Sequence, residues 1–140
     1  MGIYCGVDII EIDRLKKSIE EVDGFRDRVF TAGEIAYCDN RKRARHESYA
    51  ARFAAKEAIL KALGTGLAEG ISWKQIEILN NEKGKPYAVL SQRAQEIFES
   101  IGAKTMDVSL SHCGAYAIAY VVIDTRGGDG ADEDKTASLR

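Results

Sequence analysis

The sequence predicts an α+β fold in which a largely antiparallel sheet packs with one long alanine-rich helix. Three observations predict it. Apolar or alternating runs at 3–12, 73–79, 86–90, 105–110 and 115–123 read as strands, and short turns join the second to the third and the fourth to the fifth. Helical patterns fall among these strands in the order β-α-α-α-β-β-α-β-β, which is not the regular alternation that builds a parallel sheet. The longest helix, about 44–63, gathers Ala51, Ala54, Ala55, Ala58 and Ala62 on one arc at 100° per residue, small side chains that let another element come close.

Each element has a local reason. Ile3 to Ile12 is rich in β-branched residues and reads as a strand despite Gly6 and its acids. Residues 13–29 alternate short basic and apolar clusters and read as helical, with a break near Asp23-Gly24. Thr31-Ala-Gly-Glu34 fits a capping box, hydroxyl and acid both satisfying backbone N–H groups at a helix start. The long helix stops at Gly64, as a C-terminal glycine should stop it. Trp73–Leu79 alternates, Asn80–Gly84 turns, and Pro86–Leu90 completes a hairpin. Ser91 is placed to cap a helix running to about Ser100, and the last two strands flank a turn at Ser111–Gly114. Residues 1–124 form the expected folded unit, without internal repeats. The stretch 125–140, acidic and glycine-rich with almost no large apolar residue, is expected to be a disordered tail.

At 140 residues with 45% hydrophobic residues, the chain is long enough for a single buried core. Charged residues make up 30%, yet the net charge is only -2, which excludes a general nucleic-acid binder and an acidic tail protein. Cys5, Cys38 and Cys113 are odd in number and lack C-x-x-C spacing, so neither a disulfide framework nor a zinc site is expected. The N-terminus meets Asp8 before any long apolar run, and no later run is long enough for a bilayer. A cytoplasmic protein without membrane contact is expected.

The charges on the alanine helix need an explanation. Glu57 and Lys61 lie together on one border of the alanine arc, and Arg52 and Lys56 lie on the other side. The ordinary reading of Glu57 and Lys61 is an i,i+4 pair worth about 0.2–0.5 kcal/mol. The alternative reading is an anion site, in which Arg52, Lys56 and Lys61 join the backbone N–H groups of Gly64-Thr65-Gly66. A further carboxylate, Asp8, sits inside an apolar strand, sharing a face with Ile10 and Ile12 while Val7, Ile9 and Glu11 take the other. An aspartate buried without compensation is costly, and a divalent cation compensates it. Two hard oxygen ligands, Asp8 and Glu57, suit a Mg²⁺ that keeps waters and takes phosphate oxygens.

Four stretches then stand in order: G-V-D-I-I-E-I-x-R at 6–14, R-F-A-A-K-E-A at 52–58 followed by Lys61 and G-T-G at 64–66, G-K-P at 84–86, and S-L-S-H at 109–112. Together, over about residues 1–124, they resemble the bacterial holo-acyl-carrier-protein synthases, the small class of 4′-phosphopantetheinyl transferases. The resemblance implies Mg²⁺-dependent transfer of the phosphopantetheine arm of coenzyme A to a serine of apo-acyl carrier protein, releasing 3′,5′-ADP, in support of fatty acid biosynthesis. It implies Asp8 and Glu57 as metal ligands and Asp8, Glu57 and Lys61 as the catalytic group. It puts coenzyme A contacts on Arg52, Lys61, Gly64, Thr65, Gly66, Lys85, Pro86, Ser111 and His112. It also implies a homotrimer with active sites between subunits. The serine's base would be Glu57 itself or a metal-bound water that it positions.

Arg41-Lys-Arg-Ala-Arg45-His46 is either a solvated helix entrance or a partner for the 3′-phosphate, and without interleaved aromatics it does not suit nucleic acid. The resemblance assigns carrier-protein docking to Arg14, Phe25 and Arg28, with Arg26 as substitute, and an acidic carrier would be steered by such cations. Cys113 beside His112 fails as a nucleophile–base pair because adjacent side chains point apart; Cys5 and Cys38 are expected as buried small hydrophobes. Two competing readings remain: a phosphate-binding module without metal chemistry, and a scaffold in which Glu57 and Lys61 only pair at an interface. Asp8 argues against the first, since carboxylates beside phosphates do not help a pure anion binder.

Overall fold

A computed structural model describes residues 2–127. Chain order runs β1 (Ile3–Glu11), α1 (Ile12–Glu21), α2 (Phe25–Val29), α3 (Ala32–Asp39), α4 (Arg45–Leu63), β2 (Ile76–Asn80), β3 (Pro86–Leu90), α5 (Gln92–Ser100), β4 (Thr105–Cys113) and β5 (Tyr116–Asp124), with single 3-10 turns before α4 and before β2. The predicted order holds with one helix more, because the 13–29 stretch is divided at its expected break near Asp23-Gly24 into α1 and α2. One sheet has the order β1-β5-β4, antiparallel throughout, and β2–β3 forms a separate hairpin. Three boundaries differ. Ile12 opens α1 rather than closing β1, burying its side chain on the face that Leu15 continues. Trp73–Gln75 winds into the 3-10 turn, so β2 starts at Ile76. The last hairpin turns at Gly114, φ +59°, and Ala115, so Ser111 to Cys113 stay in β4.

The alanine arc faces the sheet. Ala54, Ala55, Ala58 and Ala62 are buried against the inward side chains of β4 and β5, among them Val108, Ala119, Val121 and Ile123. Contact on β1 is closer still: a Cβ added at Gly6 would meet the Ala58 carbonyl oxygen at 2.0 Å and the Ala62 nitrogen at 3.0 Å. Glycine in this strand therefore sets the helix–sheet separation. The opposite face of the sheet exposes Val7, Ile9, Tyr116, Ile118 and Tyr120, and the pairing places Val7 beside Tyr120 and Ile9 beside Ile118.

The Thr31–Glu34 capping box forms as predicted. Glu34 also accepts the Ile78 N–H at 2.9 Å and an ion pair from Lys56 at 2.7 Å. Lys56 is fully buried and donates to the carbonyls of Val29, Trp73 and Ile76, at 2.9, 3.1 and 2.7 Å. Burial pulls its pKa down against the pull of Glu34. This corrects the expected anion role of Lys56: its charge is spent inside the core, tying α4 to α2, α3 and the hairpin. Ser91 occupies the N-cap position of α5 without a side-chain capping bond. Thr125 is buried and exchanges hydrogen bonds with Gly2, while 128–140, most of the expected tail, lies outside the described residues. All three cysteines are free. Cys38 is buried, which pushes its thiol up to about 12; Cys5, expected inside, is exposed because it lies on the outward face of β1.

Candidate active site

Close approach of β1 to α4 brings Asp8, Glu57 and Lys61 together. Lys61 donates to Asp8 Oδ1 at 2.9 Å and to the Val7 carbonyl at 3.0 Å. The lysine is 54% exposed and the aspartate only 15%. Among the described residues the ion-pair partner of Lys61 is thus Asp8, 53 positions away, and not Glu57 one turn behind it. Burial, and then the Asp8 charge, hold the Glu57 carboxyl above the ordinary carboxylate range, with Lys61 pulling partly back. The remaining oxygen of Asp8, Oδ2, is buried without a hydrogen-bond partner. Two converging carboxylates, one with an orphaned buried oxygen, fit a small divalent cation. No group of three or more His, Cys, Asp or Glu side chains able to hold a metal occurs among the described residues, so such an ion would draw its other ligands from water and substrate.

A cleft of about 280 Å³ opens on the other flank of α4, at the β4 edge of the sheet. Arg52, Pro86, Ser111 and His112 of the expected coenzyme A set line it, joined by Arg41, Tyr37, Glu47 and Asn80. Arg52 is buried, lies 4.0 Å over the Tyr37 ring and donates to Asn80 Oδ1. Asn80 in turn donates to the Gly84 carbonyl at 2.9 Å, so the G-K-P turn is anchored on the residue that holds Arg52. Lys85, between two cleft-lining residues, pairs with Asp107 at 3.1 Å. Gly64, Thr65 and Gly66 lie elsewhere. They end α4 twelve residues beyond Arg52, about 18 Å along the axis, with Gly64 in the left-handed cap. Of the basic run, Arg41 reaches the cleft, whereas Arg45 pairs with Asp39 at 2.8 Å.

A larger cleft, about 480 Å³, lies at the β1 edge between α1, α2 and α4. Arg14 and Phe25 line it with Ile10, Leu15 and Phe53. Phe53 is one turn before Glu57, and Ile10 shares its strand face with Asp8, so the lining of this cleft neighbours the carboxylates without including them. Arg28 is exposed on α2 outside the lining, and Arg26 is engaged by Asp27 and Asp39. Sequence reasoning missed Tyr37, Asn80 and Glu47. A signal existed for the first, since Tyr37 and Arg41 are spaced i,i+4; Asn80 looked like an ordinary turn residue.

Residues 4–121 match the family described as the 4′-phosphopantetheinyl transferase superfamily. A holo-[acyl-carrier-protein] synthase of Ruminiclostridium cellulolyticum is 52% identical over 124 residues, 88% of this chain and 92% of the relative. Another, from a Geobacter species, is 48% identical over 120 residues, 85% and 95% of the two chains. The fold also matches the crystal structure of the Helicobacter pylori holo-[acyl-carrier-protein] synthase in complex with coenzyme A, with TM-score 0.74 at 32% identity, covering 85% of this chain and 98% of that one. The Bacillus anthracis synthase in complex with CoA (3′,5′-ADP) gives 0.74 at 34% identity, covering 90% and 100%. Agreement at this identity across nearly the whole of both partners shows that the chain belongs to the 4′-phosphopantetheinyl transferase superfamily, within its holo-[acyl-carrier-protein] synthase family.

Proposed function

We propose that this chain transfers the 4′-phosphopantetheine group of coenzyme A to a serine of apo-acyl carrier protein, with Mg²⁺ and with release of 3′,5′-ADP, in support of fatty acid biosynthesis. The observation that carries the reading is the cluster Asp8–Glu57–Lys61, in which two carboxylates and a lysine meet and Asp8 keeps a buried oxygen without a partner. Mg²⁺, held by Asp8 and Glu57, would supply neutralisation of the diphosphate charge. The chain's own residues do the rest. The serine Oγ forms a bond to the phosphorus bearing the pantetheine arm, and that phosphorus loses its bond to the oxygen of 3′,5′-ADP. Glu57 takes the serine proton, directly or through one water. Lys61, exposed enough to leave Asp8, turns to the phosphate oxygens on which charge builds.

The arrangement of the two clefts supports sites shared between subunits. Asp8 stands opposite Ala119 and Ala119 opposite Leu110, so the carboxylates lie at the β1 edge and the arginine cleft at the β4 edge. Two strand spacings, about 10 Å, separate them. The exposed apolar face of Val7, Ile9, Tyr116, Ile118 and Tyr120 offers a surface on which copies of the chain would pack. The cleft of Arg14 and Phe25 would receive the carrier protein beside Glu57. Free thiols at Cys5, Cys38 and Cys113 agree with a cytoplasmic setting.

The test is carrier modification read by mass spectrometry. Protein, coenzyme A, Mg²⁺ and apo-acyl carrier protein should yield a carrier bearing one phosphopantetheine, and EDTA should abolish the product. Asp8→Asn should lower turnover by about 100-fold or more. Undiminished turnover of that variant sinks the ligand assignment. Mixing Asp8→Asn with Arg52→Gln, each inactive alone, should restore activity at about a quarter of sites if the two residues serve from different copies. No recovery in verified mixed oligomers refutes the shared site.

A further inference from the structure

Arg52 and Arg41 line one cleft side by side, and among the described residues neither forms an ion pair with a carboxylate. For Arg52 this is unusual, because the side chain is only 3% exposed and its Nε is buried without a hydrogen-bond partner. What holds the two cations is neutral. The Tyr37 ring lies under the Arg52 guanidinium at 4.0 Å, and the Tyr37 hydroxyl accepts from Arg41 at 3.3 Å. Asn80, an amide, takes the remaining Arg52 contact. The one acid lining the cleft, Glu47, faces His112 at 3.7 Å. A carboxylate in the place of Tyr37 would fix both arginines equally well, but it would also cancel their charge.

We propose that Tyr37 is a positioning residue of the substrate cleft, whose ring and hydroxyl hold Arg52 and Arg41 in place without neutralising them, leaving both charges for a phosphate group of coenzyme A. The inference rests on the reading of this cleft as part of the coenzyme A site. It assigns the ring and the hydroxyl separate tasks. The ring is an electron-rich face that fixes the buried guanidinium. The hydroxyl adds a hydrogen bond to the exposed Arg41, whose guanidinium also lies 5.6 Å from the centroid of the same ring. Tyr37 itself need not touch the substrate.

Calorimetric titration of the full chain with 3′,5′-ADP, together with steady-state kinetics, tests it. Tyr37→Leu removes both tasks and should weaken 3′,5′-ADP binding and raise KM for coenzyme A by about tenfold or more, with kcat within about threefold. Tyr37→Phe keeps the ring and should lose threefold or less. KM for the carrier protein should not move in either variant. Wild-type affinity in Tyr37→Leu, equal losses in the two variants, or parallel changes in both substrates' KM values would overturn the proposal. Should Tyr37→Leu lose its cooperative melt, Arg52→Lys carries the test: it keeps the charge but not the flat face that stacks, the same tenfold loss is expected, and wild-type binding refutes the platform. A wild-type protein that binds neither 3′,5′-ADP nor coenzyme A would instead overturn the cleft reading beneath it.

Discussion

Gly6→Ala is the sharpest perturbation that the geometry offers. The added Cβ would lie 2.0 Å from the Ala58 carbonyl oxygen, 2.9 Å from its carbon and 3.0 Å from the Ala62 nitrogen. All three are backbone atoms of α4, so no rotamer change relieves the clash. Opening the oxygen contact even to a tight 3.0 Å requires β1 and α4 to part by about 1 Å. That motion acts directly on the proposed catalytic groups: Asp8 is two residues from Gly6 on the same strand face, Glu57 precedes Ala58, and Lys61 precedes Ala62. Overpacking of this kind costs about 1–3 kcal/mol of stability, and a misplacement of about 1 Å costs about 100-fold in rate. Carrier modification should therefore fall about 100-fold in a protein that still melts cooperatively, with Tm lower by roughly 4 °C per kcal/mol. Trimming Ala58 to glycine in the same chain should not rescue it, because the obstacle is the carbonyl. Wild-type turnover and Tm in Gly6→Ala, or rescue by Ala58→Gly, would refute the reasoning.

Three other perturbations follow from the same structure. Because Glu57 binds its proton more tightly in the fold than in the unfolded chain, the metal-free protein should lose stability as pH rises from the ordinary carboxylate value through the raised one, and Mg²⁺ should restore more of it the higher the pH; thermal melts that show no such slope, or a Mg²⁺ effect that shrinks as pH rises, would contradict this. Lys56→Met strands the buried Glu34 carboxylate and leaves three carbonyls without their donor, so urea titration should show a loss of about 3–5 kcal/mol, partly recovered by adding Glu34→Gln; a loss below about 1 kcal/mol would show that the pair is dispensable. Trp73, the sole tryptophan, packs in a tilted arrangement on Phe53, ring centroids 5.1 Å apart, and Phe53 lies 6.2 Å from Phe25 in the larger cleft, so carrier docking should change its fluorescence in a salt-sensitive way. Binding detected by another method with the emission unchanged would place the carrier elsewhere.

The parts of the fold that were legible in the sequence are those fixed by short-range rules. Thr31 and Glu34 close their capping box because both partners lie within one turn. Gly64 stops α4 because a left-handed cap suits glycine. Strand alternation correctly put Asp8 and Ile10 on one face and Val7 and Ile9 on the other, and the fold turns the first of these faces inward. The errors came where a short-range signal met a tertiary choice. Ser111–Gly114 is polar enough to be a turn, yet the register of β4 on β5 carries the ladder to Cys113 and leaves the turn to Gly114 and Ala115. Cys5 has the composition of a core residue, but the parity of β1 sends it outward, together with Val7.

The same division explains the charges on α4. Helical periodicity fixes the azimuth of a side chain and says nothing of what stands opposite. Lys56 and Lys61 are both cations on an alanine-rich helix, and only the packing of α2, α3 and the hairpin at 76–90 decides that the first is sealed in the core while the second stays half in water beside Asp8. Arg52 and Glu57 are five residues apart, which is about 140° around the axis, so one helix cannot offer both to the same ligand. Within one chain, the helix therefore points Glu57 and Arg52 to different sides. The proposed reaction would need the carboxylates and the arginines in one place, and the unburied apolar face of the sheet is a surface through which copies of the chain would come together to provide it.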